Sequence, residues 1–496
     1  MRLILILLLS LLPLSALADT RVALVIGMAD YDTVVKLDNT LNDARGVSET
    51  LSDIGFSVTT LLDSDADALR TAVEEFAFRA ETADLALIYY AGHGVEVSGE
   101  NFLIPIDAQV TSNQDIQRQG VSLKQLLASV DNARKMRIVI LDSCRDNPFG
   151  DALDLAALEE TAAQAEQTRS IGSAGLAPPS PDRGTLVAFA AKDGARALDG
   201  SGDHSPFAQA LMDNLRKPDL EISLMFRKVR DDVLAQTNNQ QEPHTYGSLS
   251  GTPFYVAGSA EEGSTVLTAA NPRVAWASLA GDQEVQLAAL ADQGDTRSML
   301  GLAYMRLNSV DPRYAPQEAA DYLQRAASAG SAEAQFELAQ LYEKGLGVPQ
   351  DPVRALALYQ QSADQDFADA LNDLGFIYFQ GGLNVTRDPA RGLTYFERAA
   401  DMRHPQAMFN FAAMIDDGNI EGRGPVDAAE YLYRALRSGA EDVYNLLRDE
   451  PTMFKVETRK ALQQKLSQYA FYDGTIDGDF GAGTQRGIRA AYGLTE

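Results

Sequence analysis

The chain has 496 residues, 45% apolar and 23% charged, with 42 Lys and Arg against 70 Asp and Glu for a formal net charge of −28. That length exceeds what one hydrophobic core serves and implies roughly three domains, while the charge makes nucleic acid a poor partner and favours attraction of basic substrates. Cys144 is the only cysteine, which excludes a disulfide within the chain.

In chain order, Met1-Arg2, an apolar stretch at 3–14 and Ser15-Ala16-Leu17-Ala18 read as a secretory signal peptide over 1–18. The expectation is an exported protein, periplasmic or extracellular, with Asp19 as the mature start. No cysteine near the cleavage site suggests a lipid anchor, and no later stretch is long and apolar enough to span a bilayer.

Residues 20–257 then alternate strand and helix signals. Strands are expected at 22–27, 57–62, 85–90, 137–141 and 184–190, with a short closing strand at 254–256. Helices are expected at 42–55, 66–80, 122–132, 207–215 and 223–237. Such alternation implies βαβ units and a mainly parallel sheet. Within this domain, 151–181 is rich in Ala, Glu, Ser, Gly and Pro and reads as a mobile insertion. It contains Arg169, and Arg183 follows Pro181.

After a linker at 258–275, the period becomes helical and the sequence repeats over 276–450. Ala334-Gln335-Phe336-Glu337-Leu338-Ala339 recurs 36 residues later as Ala370-Leu371-Asn372-Asp373-Leu374-Gly375, and a third copy starts at Ala407. A period of that size is the mark of an α-solenoid, one helix pair per unit. Residues 456–496 form a third module, with two helices around a Gly/Asp turn region at 471–481 and Thr484 as the expected N-cap of the second.

The chemistry-bearing residues lie at two strand ends. Cys144 follows the run 137–141, and His93 follows the run 85–90, 51 residues upstream. In parallel sheets, chemistry gathers at the carboxyl ends of strands. A thiol and an imidazole there can act as nucleophile and general base. His204, His244 and His404 have no such position; His244 reads as a loop residue. One Cys and scattered His give no metal-ligand spacing.

Residues 20–257 resemble the caspase-like cysteine peptidases, in the bacterial metacaspase-like branch. The likeness is carried by Ala23-Leu24-Val25-Ile26-Gly27, Asn42-Asp43-Ala44, Tyr89-Tyr90-Ala91-Gly92-His93-Gly94, Leu141-Asp142-Ser143-Cys144-Arg145 and Ser205-Pro206-Phe207. The resemblance implies a His93–Cys144 dyad and oxyanion donors at the backbone N–H of Gly94 and Cys144. It also places Asp43 and Asp142 in the pocket for the residue before the cut bond. Two carboxylates there imply cleavage after Arg or Lys. Such a pocket would also allow self-cleavage after Arg169 or Arg183. The chain departs from the family pattern at Met28-Ala29-Asp30-Tyr31, Asp146, His204 and His244. No cofactor is expected; calcium dependence, known in part of the wider family, is left open.

The repeats resemble the Sel-like subclass of tetratricopeptide repeats through Leu341-Tyr342-Glu343-Lys344-Gly345-Leu346-Gly347-Val348-Pro349-Gln350-Asp351, which implies protein partners. The third module is similar to the small helical peptidoglycan-binding domain through Ile476-Asp477-Gly478-Asp479-Phe480-Gly481-Ala482-Gly483-Thr484, which implies association with the cell wall. The reading is a multidomain cysteine endopeptidase: an α/β caspase-like domain, an α-solenoid and a small helical domain. The competing reading is a non-catalytic scaffold of the same fold, and retention of both His93 and Cys144 favours the enzyme.

Overall fold

The computed structural model describes residues 20–144, 184–192, 197–200, 202–247, 249, 252–258, 276 and 281–494, without the side chains of Cys144 and Asp282. The signal-peptide segment, most of the linker, and the 151–181 insertion with Arg169 and Arg183 lie outside the described residues.

The apolar runs of the first half become strands β1 (Arg21–Gly27), β2 (Ser57–Leu62), β3 (Leu85–Val97), β4 (Glu100–Leu103), β5 (Val121–Ser122), β6 (Met136–Cys144), β7 (Thr185–Phe189) and β8 (His244–Gly247). The main sheet has the order β2-β1-β3-β6-β7-β8. All its neighbours are parallel except the β7–β8 pair. Helices α1 (Thr40–Asp53), α2 (Ala66–Ala80), α3 (Asn113–Gln119), α4 (Leu123–Val130), α5 (Pro206–Leu215) and α6 (Ile222–Gln236) complete the domain. Alternate residues of each strand enter two different cores. Ala23, Val25, Tyr89 and Ile140 join Val47 of α1 and Phe207 of α5. Leu24, Ile26, Tyr90 and Val139 join Phe76 of α2 and Leu126 of α4. Burial on both faces is why these strands read as continuous apolar runs.

Three expectations are corrected. β3 does not stop at Tyr90 but runs through His93 to Val97, because its last residues pair with β4 in an antiparallel hairpin. Residues 254–256 do not form a closing strand. Tyr255 makes only an isolated bridge to Glu221, and the sheet is closed by β8, with His244 as its first residue. Phe254 and Val256 point into the sheet domain's core while Tyr255 enters the core of the solenoid, so this segment joins two bodies. Finally, Gly481, not Thr484, occupies the N-cap of the last helix. Thr484 is 1% exposed and accepts a hydrogen bond from Gln463.

The second half is a run of helices packed on their chain neighbours: α7 (Gly281–Asp292), α8 (Thr296–Leu307), α9 (Pro316–Ser328), α10 (Ala332–Lys344), α11 (Pro352–Ala363), α12 (Ala368–Gln380), α13 (Pro389–Asp401), α14 (Pro405–Asp417), α15 (Pro425–Arg437), α16 (Glu441–Asp449), α17 (Val456–Gln468) and α18 (Ala482–Tyr492). Proline opens α9, α11, α13 and α15, where its missing N–H costs nothing. Glycine sets the closest approaches. A Cβ at Gly392 would lie 2.7 Å from the backbone N of Phe379. One hydrophobic core runs from Tyr255 and Trp276 through every repeat to Leu462, Leu466 and Ile488, so the C-terminal module completes the solenoid.

The solenoid is fastened to the sheet domain at both ends. Near its start, Arg297 pairs with the fully buried Glu221 at 2.7 Å. Near its end, Arg437 binds Glu81 at 2.8 Å and donates to the carbonyls of Phe78 and Ala491.

Candidate active site

β3 and β6 are neighbours because both are apolar enough to lie at the sheet's centre, and their register sets the site. Tyr90 faces Leu141, Ala91 faces Asp142, Gly92 faces Ser143, and His93 faces Cys144. Neighbouring strands lie about 4.8 Å apart, so the sheet brings the two dyad positions side by side across a gap of 51 residues in sequence.

His93 is 5% exposed. Its Nε2 lies 2.8 Å from the carbonyl oxygen of Val35. A carbonyl can only accept, so Nε2 carries the hydrogen and Nδ1 of the neutral ring carries the lone pair. Nδ1 is buried with no hydrogen-bond partner among the described residues. Burial lowers the pKa of His93, opposed by the bond to Val35, and keeps the ring neutral. The ring also packs on Tyr31, centroid to centroid at 4.6 Å. The backbone beside it is locked: Tyr31 Oη accepts from His93 N at 2.8 Å, and Tyr90 Oη donates to His93 O at 2.6 Å. These two hydroxyls explain Gly92, where a Cβ would sit 2.6 Å from one and 2.7 Å from the other.

Asp43 and Asp142 line one small cavity. Asp142 Oδ2 accepts from Tyr89 Oη at 3.0 Å and from Ser205 Oγ at 2.7 Å. Asp43 Oδ1 accepts from Ser205 N at 3.1 Å and lies 3.0 Å from His204 Nδ1. Asp43 stands in the first turn of α1 without capping it; Asn39 is the N-cap residue. A third carboxylate, Asp199, lines the same small cavity with Leu37, Thr40 and Gly92. Burial, above all, pushes Asp43 and Asp142 up to about 7, and the charge of Asp43 adds to the rise at Asp142. Asp199 is raised too, again by burial. Ser205 is the hinge of the arrangement, bonding both aspartates and capping α5 through Ala208 N. Sequence reasoning missed Asp199, Tyr31 and Tyr89. Tyr89 and Ser205 stood in matched motifs and Tyr31 in the segment 28–31 compared with the family, but none was given a role; Asp199 carried no signal.

The cavity holds about 20 Å³, the volume of one water. Gly94 follows His93 in the strand, paired with Leu103. Among the described residues no group of three His, Cys, Asp or Glu is arranged to hold a metal ion, and no helix is long and apolar enough to cross a membrane.

Residues 20–255 match the Caspase domain family. Residues 296–331, 332–367 and 368–404 match the Sel1 repeat, which covers the pairs from α8 to α13. Residues 455–491 match the putative peptidoglycan binding domain. Over 148 residues the chain is 32% identical to the Homo sapiens mucosa-associated lymphoid tissue lymphoma translocation protein 1 and to its Mus musculus homolog. The aligned part is 29% of this chain but 18% of those relatives' length. Among solved structures, a Sel1 repeat protein from Oxalobacter formigenes has 25% identity and a TM-score of 0.30, over 39% of this chain and 57% of that one. Caspase-1 from Spodoptera frugiperda has 15% identity and a TM-score of 0.34, over 49% and 92%. The chain is thus a caspase-type α/β domain followed by Sel1 repeats and a peptidoglycan-binding-type domain.

Proposed function

We propose that this protein is an exported cysteine endopeptidase that cuts after Arg or Lys, held near the cell wall by its C-terminal module and given protein partners by its repeats. The observation that carries the reading is the buried Nδ1 of His93. It is an acceptor with no partner among the described residues, in a ring whose protonation is disfavoured, at the register position of Cys144, whose side chain is not among them. A buried ring nitrogen with its lone pair free of described partners and a thiol position beside it is what a proton-accepting role needs.

In this reading Nδ1 takes the thiol proton and the thiolate attacks the substrate carbonyl. The backbone N–H groups of Gly94 and Cys144 hold the developing oxyanion. The imidazolium returns the proton to the departing amine, and water, deprotonated by the same ring, hydrolyses the thioester. Ionised Asp43 and Asp142, with Asp199 beside them, receive the substrate cation.

The test is hydrolysis of reporter peptides ending in Arg, Lys or Asp by the wild-type chain and by Cys144→Ala. Arg and Lys reporters are cut by wild type only. Preferential cleavage after Asp refutes the pocket assignment, and equal activity of Cys144→Ala refutes the dyad. Mass spectrometry of the same two proteins reads self-cleavage after Arg169 or Arg183: a nick confined to wild type supports it, and an intact, fully active wild-type chain ends it.

A further inference from the structure

A cleft of about 720 Å³ opens between the sheet domain and the C-terminal module, on a face that contains none of the dyad or pocket residues. That size suits a ligand of several rings or residues. Its apolar part includes Phe78 of α2 and Phe471 of the turn after α17, whose rings are near parallel with centroids 6.5 Å apart. Four arginines line it: Arg79, Arg437, Arg486 and Arg489. No acidic residue lines it among the described residues. On a chain with a net charge of −28 this is a local reversal of sign. Residues 456–496 themselves carry five acidic and five basic side chains, so the module stands apart from the acidic remainder.

The four cations are not equivalent. Arg79 is committed to Ser57 and Thr59, and Arg437 to Glu81 and two carbonyls. They form a fixed positive wall. Arg486 and Arg489 are exposed and stand three residues apart on α18, hence on one face of it. Arg486 has no ion-pair partner among the described residues.

We infer that this cleft is a composite binding site for a carboxylate-bearing glycopeptide of the cell wall, with carboxylates on Arg486 and Arg489 and the flat face of a sugar on the Phe78–Phe471 pair. The inference rests on the proposed wall association and adds that the ligand is shared between the module and the back of the catalytic domain. Bidentate Arg–carboxylate pairing gives such a site its selectivity.

The experiment has two arms, each with the full-length chain and its Arg486→Ala/Arg489→Ala variant. One measures retention on intact purified sacculi. The other titrates the disaccharide–tetrapeptide released from sacculi by a muramidase, with its carboxylates free or amidated. Coincident thermal unfolding curves establish that the variant is folded. The expected results are retention of wild type, about tenfold weaker fragment binding by the variant, the same loss on amidation, and weakening as salt rises from about 0.05 to 0.5 M. Undiminished retention and fragment binding by the variant overturn the cleft and leave the wall reading standing. Failure of wild type to bind sacculi overturns the wall reading. Arg486-dependent binding of an acidic polyglutamate peptide without binding of the fragment overturns the cell-wall source in favour of a protein ligand.

Discussion

At Asp142 burial of a carboxylate costs stability. Its carboxylate is 7% exposed, faces Asp43, and has a pKa raised to about 7. An unfolded Asp titrates near 3.9, so between about pH 4 and 7 the folded chain keeps a proton that the unfolded chain has lost, and stability falls as pH rises through that window. Asp142→Asn retains an oxygen that can accept from Tyr89 and Ser205. The variant is therefore expected to be more stable than wild type by about 1 kcal/mol or more at about pH 8, and equal to it at about pH 4. The same substitution is expected to lower kcat/KM for an Arg reporter at least about tenfold. Denaturant titrations at the two pH values and the reporter assay check both halves. The rate profile carries a second prediction. In the proposed pocket a substrate cation needs ionised carboxylates, while burial lowers the pKa of His93, so kcat/KM is expected to rise with pH through about 7. Asp199→Asn removes a like charge from beside the pair and is expected to move that limb to lower pH. A limb that stays in place refutes its assignment to the carboxylates.

Between elements, fit is set by a few small residues. Gly392 of α13 would, as Ala, place a Cβ 2.7 Å from Phe379 N and 2.9 Å from Gly375 O, both backbone atoms that cannot swing aside. Gly392→Ala gains in helix propensity but forces α12 and α13 apart, and overpacking costs about 1–3 kcal/mol. A lowered melting temperature is the expected outcome; an unchanged or raised one shows that this pair has slack. The elements also mark how far local pattern reaches. The helix expected at 66–80 is α2 to the residue, with Asp65 capping it, and the strand expected at 57–62 is β2. β3 overran its expected end because its last residues owe their strand conformation to β4, a partner later in the chain. The signal for that pairing is non-local and the segment 91–97 is short of apolar residues.

Across the whole molecule, several arginines hold the solenoid to the sheet domain, among them Arg134, Arg227, Arg297, Arg403 and Arg437. Arg297 and Glu221 form an ion pair in which the acid is fully buried, its other oxygen accepting from Ser223 N at 2.8 Å. Arg297 also donates to the carbonyl of Thr252. Arg297→Ala leaves an uncompensated buried charge, a loss of about 3–5 kcal/mol. The expected outcome is early, separate unfolding of the solenoid in calorimetry, with Glu221→Gln in the same chain restoring part of the loss. A single unshifted transition in Arg297→Ala refutes the pair's role. The continuous core from Trp276 to Ile488 carries a related consequence: removal of 456–496 strips apolar cover from α15 and is not a neutral deletion.

The sequence by itself determined the alternation of buried strands and amphipathic helices, the 36-residue period, and the positions of His93, Cys144, Asp43 and Asp142. These follow from side-chain periodicity and from motifs a few residues long, which are local properties of a chain. The tertiary structure decided the rest. Only the β3–β6 register puts His93 opposite Cys144, and only the contact of Nε2 with Val35 fixes which ring nitrogen is left to accept a proton. Asp199 joins Asp43 and Asp142 from a segment with no motif of its own, because the packing of α1 against α5 gathers three distant stretches into one cavity. The arginine-lined cleft is likewise absent from any single stretch. It exists because the solenoid bends its last helices back onto α2, and burial, distance and charge between segments hundreds of residues apart are fixed only when the chain has folded.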